Sequence, residues 1–202
     1  MAYAAWATPN KVSGNGNDTV SWTGLQHTGR LPRQTQATFS AANVEDKILT
    51  IIQAAKPEFV SFNDSTAAVL KAGGTLTLTG KSNSSKLTFR LGSNAIGLVL
   101  PSTYTANGLT VNNGAAITGD PGANAEYAFS IVFNNIPENT TIDELVSQLI
   151  VEDDAGNTST CTITQAAGDP YLTISPTTIN LTAAGTPAQS VSVSSNTNWT
   201  IS

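Results

Sequence analysis

The sequence is poor in the residue types on which most catalytic and metal sites depend. It contains one histidine, His27, and one cysteine, Cys161, in 202 residues. A single cysteine cannot form a disulfide within the chain, and no spacing of these residues suits zinc. A catalytic His27 would need a nucleophile and an orienting carboxylate, and no motif such as G-x-S-x-G supplies them. We therefore expect no enzymatic activity, no cofactor and no metal.

These residues have simpler expected roles. His27 lies in a short polar, glycine-containing segment typical of a loop. Cys161 has the same strand parity as Ile163, where a small buried hydrophobic residue is expected. The densest set of oxygen ligands is the acidic segment 152–157, and calcium favours such ligands. Its spacing is not that of a known calcium loop, so a solvated hairpin turn is the favoured interpretation.

Charged residues and long apolar runs are also scarce. Only 11% of the residues are charged, and from Leu91 to Ser202 there is no lysine or arginine against nine carboxylates. Nucleic acid is therefore not an expected partner, because phosphate binding needs clustered basic side chains. No run approaches the roughly 20 apolar residues of a membrane span. The first lysine, Lys11, comes too late for a signal peptide, so we expect neither signal peptide nor membrane insertion.

What the chain does contain is a series of short segments in which apolar and polar residues alternate. This period of two indicates strands and not helices. The clearest segments are 75–79, 87–91, 127–133 and 160–164. Turn signals separate them at 72–74, 107–108, 113–114, 120–122 and 153–157. The spacing predicts an all-β, immunoglobulin-like β-sandwich. The predicted core residues are Leu76, Leu78, Phe89, Phe129, Ile131, Phe133 and Ile163.

One short helix is also expected. The residues Thr141-Ile142-Asp143-Glu144 fit a capping box, in which the threonine and the glutamate satisfy the first free N–H groups of a helix. The apolar positions of this helix would be Leu145, Val146 and Leu149. It would lead into a strand around Ile150-Val151.

An internal repeat organises the chain. Residues 50–73 and 162–185 align without a gap at a constant offset of 112, and eight of the 24 pairs are identical. Such a repeat marks tandem modules. It predicts a short N-terminal β half-module at 1–56, a complete sandwich at 57–167 and the incomplete start of a further module at 168–202. Because the last module stops within a predicted strand, we expect the protein to continue beyond it.

The third unit resembles a known family. Residues 171–202 closely resemble the opening of a BACON domain, the immunoglobulin-like module abundant in Bacteroidetes and their phages. The marks are Ile174-Ser175-Pro176, Ala184-Gly185, Val191-Ser192-Val193 and Asn196-Thr197-Asn198-Trp199. Residues 17–53, with Thr28-Gly29-Arg30 and Arg33, resemble short modules of virion fibre proteins in phages of Bacteroides, the crAss-like group included. The middle module departs from the BACON pattern, with Leu87 in place of the tryptophan.

The resemblance implies a virion structural protein on the capsid exterior. It would be a capsid head fibre or decoration protein, anchored by its N-terminus, with tandem BACON-like modules projecting outward for adhesion. The expected partners are the major capsid protein or another virion protein, further copies in a homo-oligomer, and a host-surface glycan. One alternative is a carbohydrate- or mucin-binding BACON-type surface module of a Bacteroidetes bacterium. Another is a tail-associated or adhesin stalk.

The expected attachment surface lies in residues 1–56. Three strands predicted near 19–23, 35–40 and 48–53 cannot close a sandwich, and open strand edges are either covered or used for pairing. A strand from the capsid or from a sister subunit would complete the sheet. It would bury aromatic side chains suited to interface anchors, and arginines would meet carboxylates on the partner. The residues expected in this interface are Trp6, Trp22, Arg30 and Arg33. The alternative is a self-sufficient three-stranded unit.

Overall fold

Alternating segments form β-strands throughout the part of the chain that the structure describes. The structure is a computed structural model, and it describes residues 3–118, 122, 124–185 and 187–202. These residues form 15 strands and no helix, arranged in five sheets. In chain order the strands are β1 (Ala7–Pro9), β2 (Trp22–Gly24), β3 (Arg33–Ala41), β4 (Val44–Gln53), β5 (Val60–Phe62), β6 (Thr66–Val69), β7 (Gly74–Ser82), β8 (Leu87–Asn94), β9 (Thr103–Ala106), β10 (Leu109–Asn112), β11 (Tyr127–Ile136), β12 (Leu145–Asp153), β13 (Thr158–Gln165), β14 (Leu172–Ser175) and β15 (Ser192–Ser195).

The predicted turn at Asn107-Gly108 shows how local chemistry ends the strands. These two residues join β9 to β10, and both have positive φ angles, 48° and 78°. A two-residue hairpin turn of this type needs left-handed backbone at both positions, which asparagine and glycine adopt most readily. The turn signal at 120–122 falls largely outside the described residues, because Asp120 and Pro121 are not among them.

Residues 60–165 form a two-layered sandwich. One layer is the five-stranded sheet β10-β9-β11-β7-β5, and the other is the four-stranded sheet β6-β13-β12-β8. The consecutive strands β5 and β6 lie in different layers. β6 pairs with β13 in parallel, whereas the other neighbours pair antiparallel. This arrangement confirms the predicted all-β, immunoglobulin-like fold class.

Aromatic rings dominate the core between the two layers. The ring of Phe129 packs edge-on against those of Phe62 and Phe89, with centroids 5.7 and 5.6 Å apart. Phe89 also contacts Tyr104, at 4.9 Å. Such ring pairs stabilise a core beyond the area they bury. Gly80 leaves the space for one of these rings, since a Cβ atom there would lie 2.2 Å from Cζ of Phe129.

Six of the seven predicted core residues are buried, each at most 6% exposed. They are Leu78, Phe89, Phe129, Ile131, Phe133 and Ile163. Leu76 differs, because it is only partly buried and packs against the core from the outer part of β7. The prediction for Cys161 is confirmed: its side chain is fully buried, and this burial raises the pKa of its thiol.

The predicted helix at 141–149 is wrong. Residues Leu145–Asp153 form β12, which pairs with β13 along one edge and with β8 along the other. The inward side chains Ser147, Leu149 and Val151 are fully buried, so the segment has the period of a strand. A capping box is a local preference, and pairing on both edges of a central strand overrides it.

The internal repeat of the sequence is also a repeat of structure. β3 and β4 pair from Arg33 opposite Gln53, and β12 and β13 pair from Leu145 opposite Gln165. These are the same register shifted by 112 residues. The short strand β14 likewise follows β5 at that offset, and it pairs with β15 in a two-stranded sheet. The chain therefore carries the closing hairpin of one unit, a whole sandwich, and the opening strands of another.

Phe129→Ala should lower the free energy of unfolding of the sandwich by about 3–5 kcal/mol, because it leaves a cavity between two packed rings. The matched control is Val132→Ala on the same strand, whose side chain is 38% exposed. It should change the free energy of unfolding by no more than about 0.5 kcal/mol. Urea denaturation followed by circular dichroism measures both. Equal losses in the two variants would mean that β11 does not present these faces to core and solvent.

Candidate attachment site in the N-terminal unit

The N-terminal unit, residues 3–56, is a shortened version of the sandwich. Its two sheets are β1-β2 and the hairpin β3-β4. The side-chain amide of Gln53 donates to the carbonyl oxygen of Leu25 at 2.8 Å, as that of Gln165 donates to Pro137 at 2.7 Å. Leu25 directly follows β2, and Pro137 directly follows β11. In the N-terminal unit, β2 therefore corresponds to the end of β11 in the sandwich, and its partner β1 corresponds to the start of β7.

No described strand lies beside β3 in the place that β8 takes beside β12. In the sandwich, β8, β9 and β10 come between β7 and β11 in the chain. In the N-terminal unit the corresponding connection is residues 10–21, which form no strand. Within the described residues, β3 therefore pairs with β4 along one edge and with no strand along the other. The short connection creates this open edge.

Apolar side chains on the inner face of the hairpin are exposed because this strand is missing. Phe39 is 44% exposed and Leu49 is 38% exposed. Their counterparts at the offset of 112, Val151 and Cys161, are fully buried in the sandwich. Inner-face positions that are buried in the sandwich are therefore partly exposed to solvent in the N-terminal unit.

The outer face of the hairpin carries two exposed isoleucines among polar side chains. Ile48 is 64% exposed and Ile52 is 69% exposed. The counterparts of these residues in β13 are Thr160 and Thr164, a usual choice for a solvated strand face. Sequence reasoning missed these residues, although comparing the two hairpins at the repeat offset would have found them.

A cleft of about 410 Å³ opens between the two sheets beside the end of β3. Aromatic residues from both sheets line it, namely Tyr3, Trp22 and Phe39. Val12 and Val20 of the short connection also line it, together with the ion-paired Lys11 and Asp18.

Three of the four predicted interface residues lie together in this unit. Trp22 packs edge-on against Tyr3, with centroids 5.0 Å apart. The guanidinium carbon of Arg33 lies 4.6 Å from the ring centre of Trp6, within the range of a cation–π contact. Arg33 also donates to the side chain of Gln53 at 2.9 Å. Both tryptophans are half-buried.

Arg30, the fourth predicted residue, lies elsewhere. Its Nη1 donates to the carbonyl oxygen of Asn83 at 2.6 Å, and its Nε lies 3.8 Å from a carboxylate oxygen of Glu58. The side chain of Arg30 is only 12% exposed. The expectation that it meets a carboxylate on a partner is therefore corrected: its carboxylate belongs to the same chain, and Arg30 joins the N-terminal unit to the sandwich.

His27 has a structural position. Its Nε2 donates to the carbonyl oxygen of Leu31 at 2.7 Å. In the sandwich, the side-chain amide of Asn139 donates to the carbonyl oxygen of Asp143 at 2.8 Å. Asn139 follows His27 by 112 positions, and Asp143 follows Leu31 by the same offset. His27 is buried, as is Asn139. The expected polar loop role is confirmed, and the residue fastens the loop that leads into β3.

The acidic segment is the hairpin turn between β12 and β13, as favoured from the sequence. A carboxylate oxygen of Asp153 accepts hydrogen bonds from the N–H groups of Ala155 and Asn157. Asp154 pairs with Lys86 at 2.6 Å, and this contact holds the pKa of its carboxyl below the usual value. Within the described ranges, no group of three Asp, Glu, His or Cys residues could hold a metal ion.

Comparison with known proteins returns no match: neither the models of known protein families nor the curated proteins match the chain. Among the described residues, no helix is long and apolar enough to cross a membrane.

His27→Ala should lower the free energy of unfolding of the N-terminal unit by about 0.5–1.5 kcal/mol, because the Leu31 carbonyl loses its donor. His27→Asn should retain most of the stability, since asparagine makes the equivalent bond at position 139. Urea unfolding followed by tryptophan fluorescence measures this, because two of the three tryptophans lie in this unit. Equal losses in both variants would contradict the equivalence of the two loops.

Proposed function

We propose that the chain is a virion structural protein, a capsid head fibre or decoration protein. Its N-terminal unit attaches to the capsid, and its immunoglobulin-like, BACON-like modules project outward. The observation that carries this proposal is the open edge of β3 beside an aromatic cleft. A folded chain that leaves a strand edge and large apolar side chains unpaired at one end is prepared to accept a strand from another protein.

The sandwich itself indicates what kind of segment would fit. Its strand β8 pairs antiparallel with β12, and Phe89 lies opposite Val151. The inward residues Leu87 and Phe89 are at most 2% exposed. By analogy, the partner is an extended segment of a capsid protein that carries bulky apolar residues at alternate positions. It adds antiparallel to β3 and places one of these side chains beside Phe39, in the cleft.

The composition of β3 supports strand addition. Protected edge strands commonly carry lysine, inward-pointing charges or proline. β3, with the sequence RQTQATFSA, has Arg33 as its one charged residue and contains no proline. Arg33 lies at the start of the strand, where it is held by Trp6 and Gln53. The remainder of the edge is uncharged and available for backbone pairing.

The distribution of charge supports an outward orientation of the other modules. Residues 91–202 contain nine carboxylates and no lysine or arginine, whereas all nine lysines and arginines lie in residues 1–90. A single sign of charge keeps a projecting surface soluble and prevents it from associating with its copies. The N-terminal unit lacks this protection against association.

Glycan binding is a second candidate function, and one observation favours it. Tyr171 of the third unit is 47% exposed. An exposed aromatic ring provides a flat apolar face with a polar edge, which suits the stacking of sugars. In the proposed arrangement this residue lies far from the attachment end, where a host-surface glycan would be met.

Phe39→Lys should abolish incorporation of the protein into virus particles, because it places a charge in the cleft that the partner strand must fill. The matched control is Leu109→Lys, since Leu109 is exposed to a similar extent, 48% against 44%, but lies on β10 of the sandwich. The measurement is the amount of each variant that co-sediments with purified particles.

Deletion of residues 1–56 should have the same effect as Phe39→Lys while leaving a folded sandwich, as judged by circular dichroism. Normal incorporation of either variant would overturn the proposed anchor. If wild-type protein fails to co-sediment with particles but is retained on immobilised mucin glycans, with loss of retention in Tyr171→Ala, the glycan-binding candidate replaces the virion proposal.

A further inference from the structure

The joint between the N-terminal unit and the sandwich is centred on Asn83. Its side chain is fully buried directly after β7. Oδ1 accepts the N–H of Phe59, at 3.0 Å, in the first strand region of the sandwich. Nδ2 donates to the carbonyl oxygen of Thr28 in the N-terminal unit, at 3.1 Å, and to that of Pro57 in the linker, at 3.2 Å. One amide side chain thus bridges both units and the linker between them.

The joint between the sandwich and the third unit has the same construction around Asn196, directly after β15. Oδ1 accepts the N–H of Tyr171 at 2.9 Å. Nδ2 donates to the carbonyl oxygens of Thr140, in the sandwich, and Asp169, in the linker, both at 3.0 Å. The three partners of Asn196 follow the three partners of Asn83 by 112 residues each.

Two further hydrogen bonds repeat at the joints. The linker N–H of Lys56 donates to the carbonyl oxygen of Gly29 at 2.9 Å, and that of Gly168 donates to Thr141 at 2.7 Å. These donors and acceptors again differ by 112 positions.

The serine before each asparagine also repeats its contact. The hydroxyl of Ser82 donates to the carbonyl oxygen of Phe59 at 2.7 Å, and that of Ser195 donates to the carbonyl oxygen of Tyr171 at 2.9 Å. Both joints are therefore marked by a Ser-Asn pair, in which the serine is the last residue of β7 or β15.

We infer that this asparagine is a clamp that fixes the orientation of each unit relative to the one before it. Linkers between domains act as hinges by default, unless specific contacts across the interface prevent it. Here the two N–H groups of one planar amide are directed to the preceding unit and to the linker, while its oxygen is held by the following unit. At Asn83 these bonds are shielded from water and resist opening, because the polar groups would otherwise lose their partners, whereas at Asn196 they are more exposed. Rotation of one unit against the next would break the bond to the preceding unit and displace the linker carbonyl, while the bond to Oδ1 stays within the following unit.

Because the same clamp occurs at both joints, the two joints share one geometry. The same rotation and translation then relate successive units, and the tandem array is a stiff rod of regular twist. Each joint also has ion pairs of its own, Arg30 with Glu58 and Lys56 with Glu126 at the first and Lys71 with Asp169 at the second. These pairs differ in position, so the contacts common to both joints are those of the asparagine, the serine before it and the linker N–H. The inference concerns the joints and holds whatever the chain is attached to.

The test compares backbone residual dipolar couplings of the three units in the 202-residue chain. For the wild-type protein, one alignment tensor should fit the amides of the N-terminal unit and of the sandwich together. Asn83→Asp keeps the oxygen that accepts from Phe59 and removes the two donors that reach across the joint. The variant should require two tensors, with a smaller alignment magnitude for the N-terminal unit.

Asn196→Asp is the second variant, and it should free the third unit from the sandwich in the same way. The matched control is Asn63→Asp, since Asn63 donates to the side chain of Thr79 within the sandwich and touches neither joint. It should leave one tensor for all units, as in the wild type. The melting temperature of the sandwich, followed by circular dichroism, separates loosening of a joint from unfolding of a unit.

Two results would overturn the inference. One is a wild-type protein whose units already require separate tensors, because the joints would then be flexible despite the asparagines. The other is a folded Asn83→Asp or Asn196→Asp protein that is still described by one tensor, because other contacts would then set the orientation.

Discussion

The N-terminal unit and the sandwich each depend on a closing hairpin that is tied to the opposite sheet through a glutamine side chain. Gln53 and Gln165 are the last residues of β4 and β13. Each donates a side-chain N–H to the carbonyl oxygen of the residue that directly follows a strand of the opposite sheet. Gln165 is fully buried, so this hydrogen bond lies away from water, where an unpaired polar group is costly. The bond fixes the position of the hairpin relative to the second layer. The glutamine that the two repeats share therefore has the same structural role in both units.

The same hairpin has opposite surroundings in the two places where it occurs. In the sandwich, β12 and β13 are flanked by β8 and β6, and the inner face is fully buried. In the N-terminal unit the connection that would contain β8 is reduced to residues 10–21. Isoleucines 48 and 52 stand where the sandwich has threonines, and they add two exposed apolar side chains to an otherwise polar outer face. A hairpin with an open edge and exposed apolar side chains gains stability by acquiring a neighbour, which is why we propose the attachment site there.

The period of two and the turn residues were sufficient to predict the fold class, part of the core and the burial of Cys161. The helix at 141–149 was mispredicted because a capping box reports local preference, whereas β12 is decided by neighbours far away in the sequence. The loop position of His27 was predicted, but its hydrogen bond to Leu31 was not, since a histidine and an asparagine make the same bond at equivalent positions. Tryptophan and arginine types were the basis for predicting an interface, but composition cannot tell an arginine that faces solvent from one that, like Arg30, is held within the chain.

The hydrogen bonds at the joints were not predicted from the sequence, for a different reason. The repeat holds an offset of 112 through Gly73 and Gly185, but Asn83 and Asn196 differ by 113. One additional residue in the third unit takes the two asparagines out of alignment without a gap. The fold tolerates a short insertion in the loop before β15. The hydrogen bonds of its side-chain amide hold Asn196 in the same place as Asn83 despite this insertion.

The acceptors at these joints are backbone carbonyls, and this has a consequence for how such a protein changes over time. A backbone carbonyl is present whatever side chain it carries, so Pro57 in one linker and Asp169 in the other serve equally well. A duplicated unit would join its neighbour without compensating mutations in either one. The length of the array can thus grow or shrink by recombination of whole repeats, and its surface residues remain able to diversify under selection.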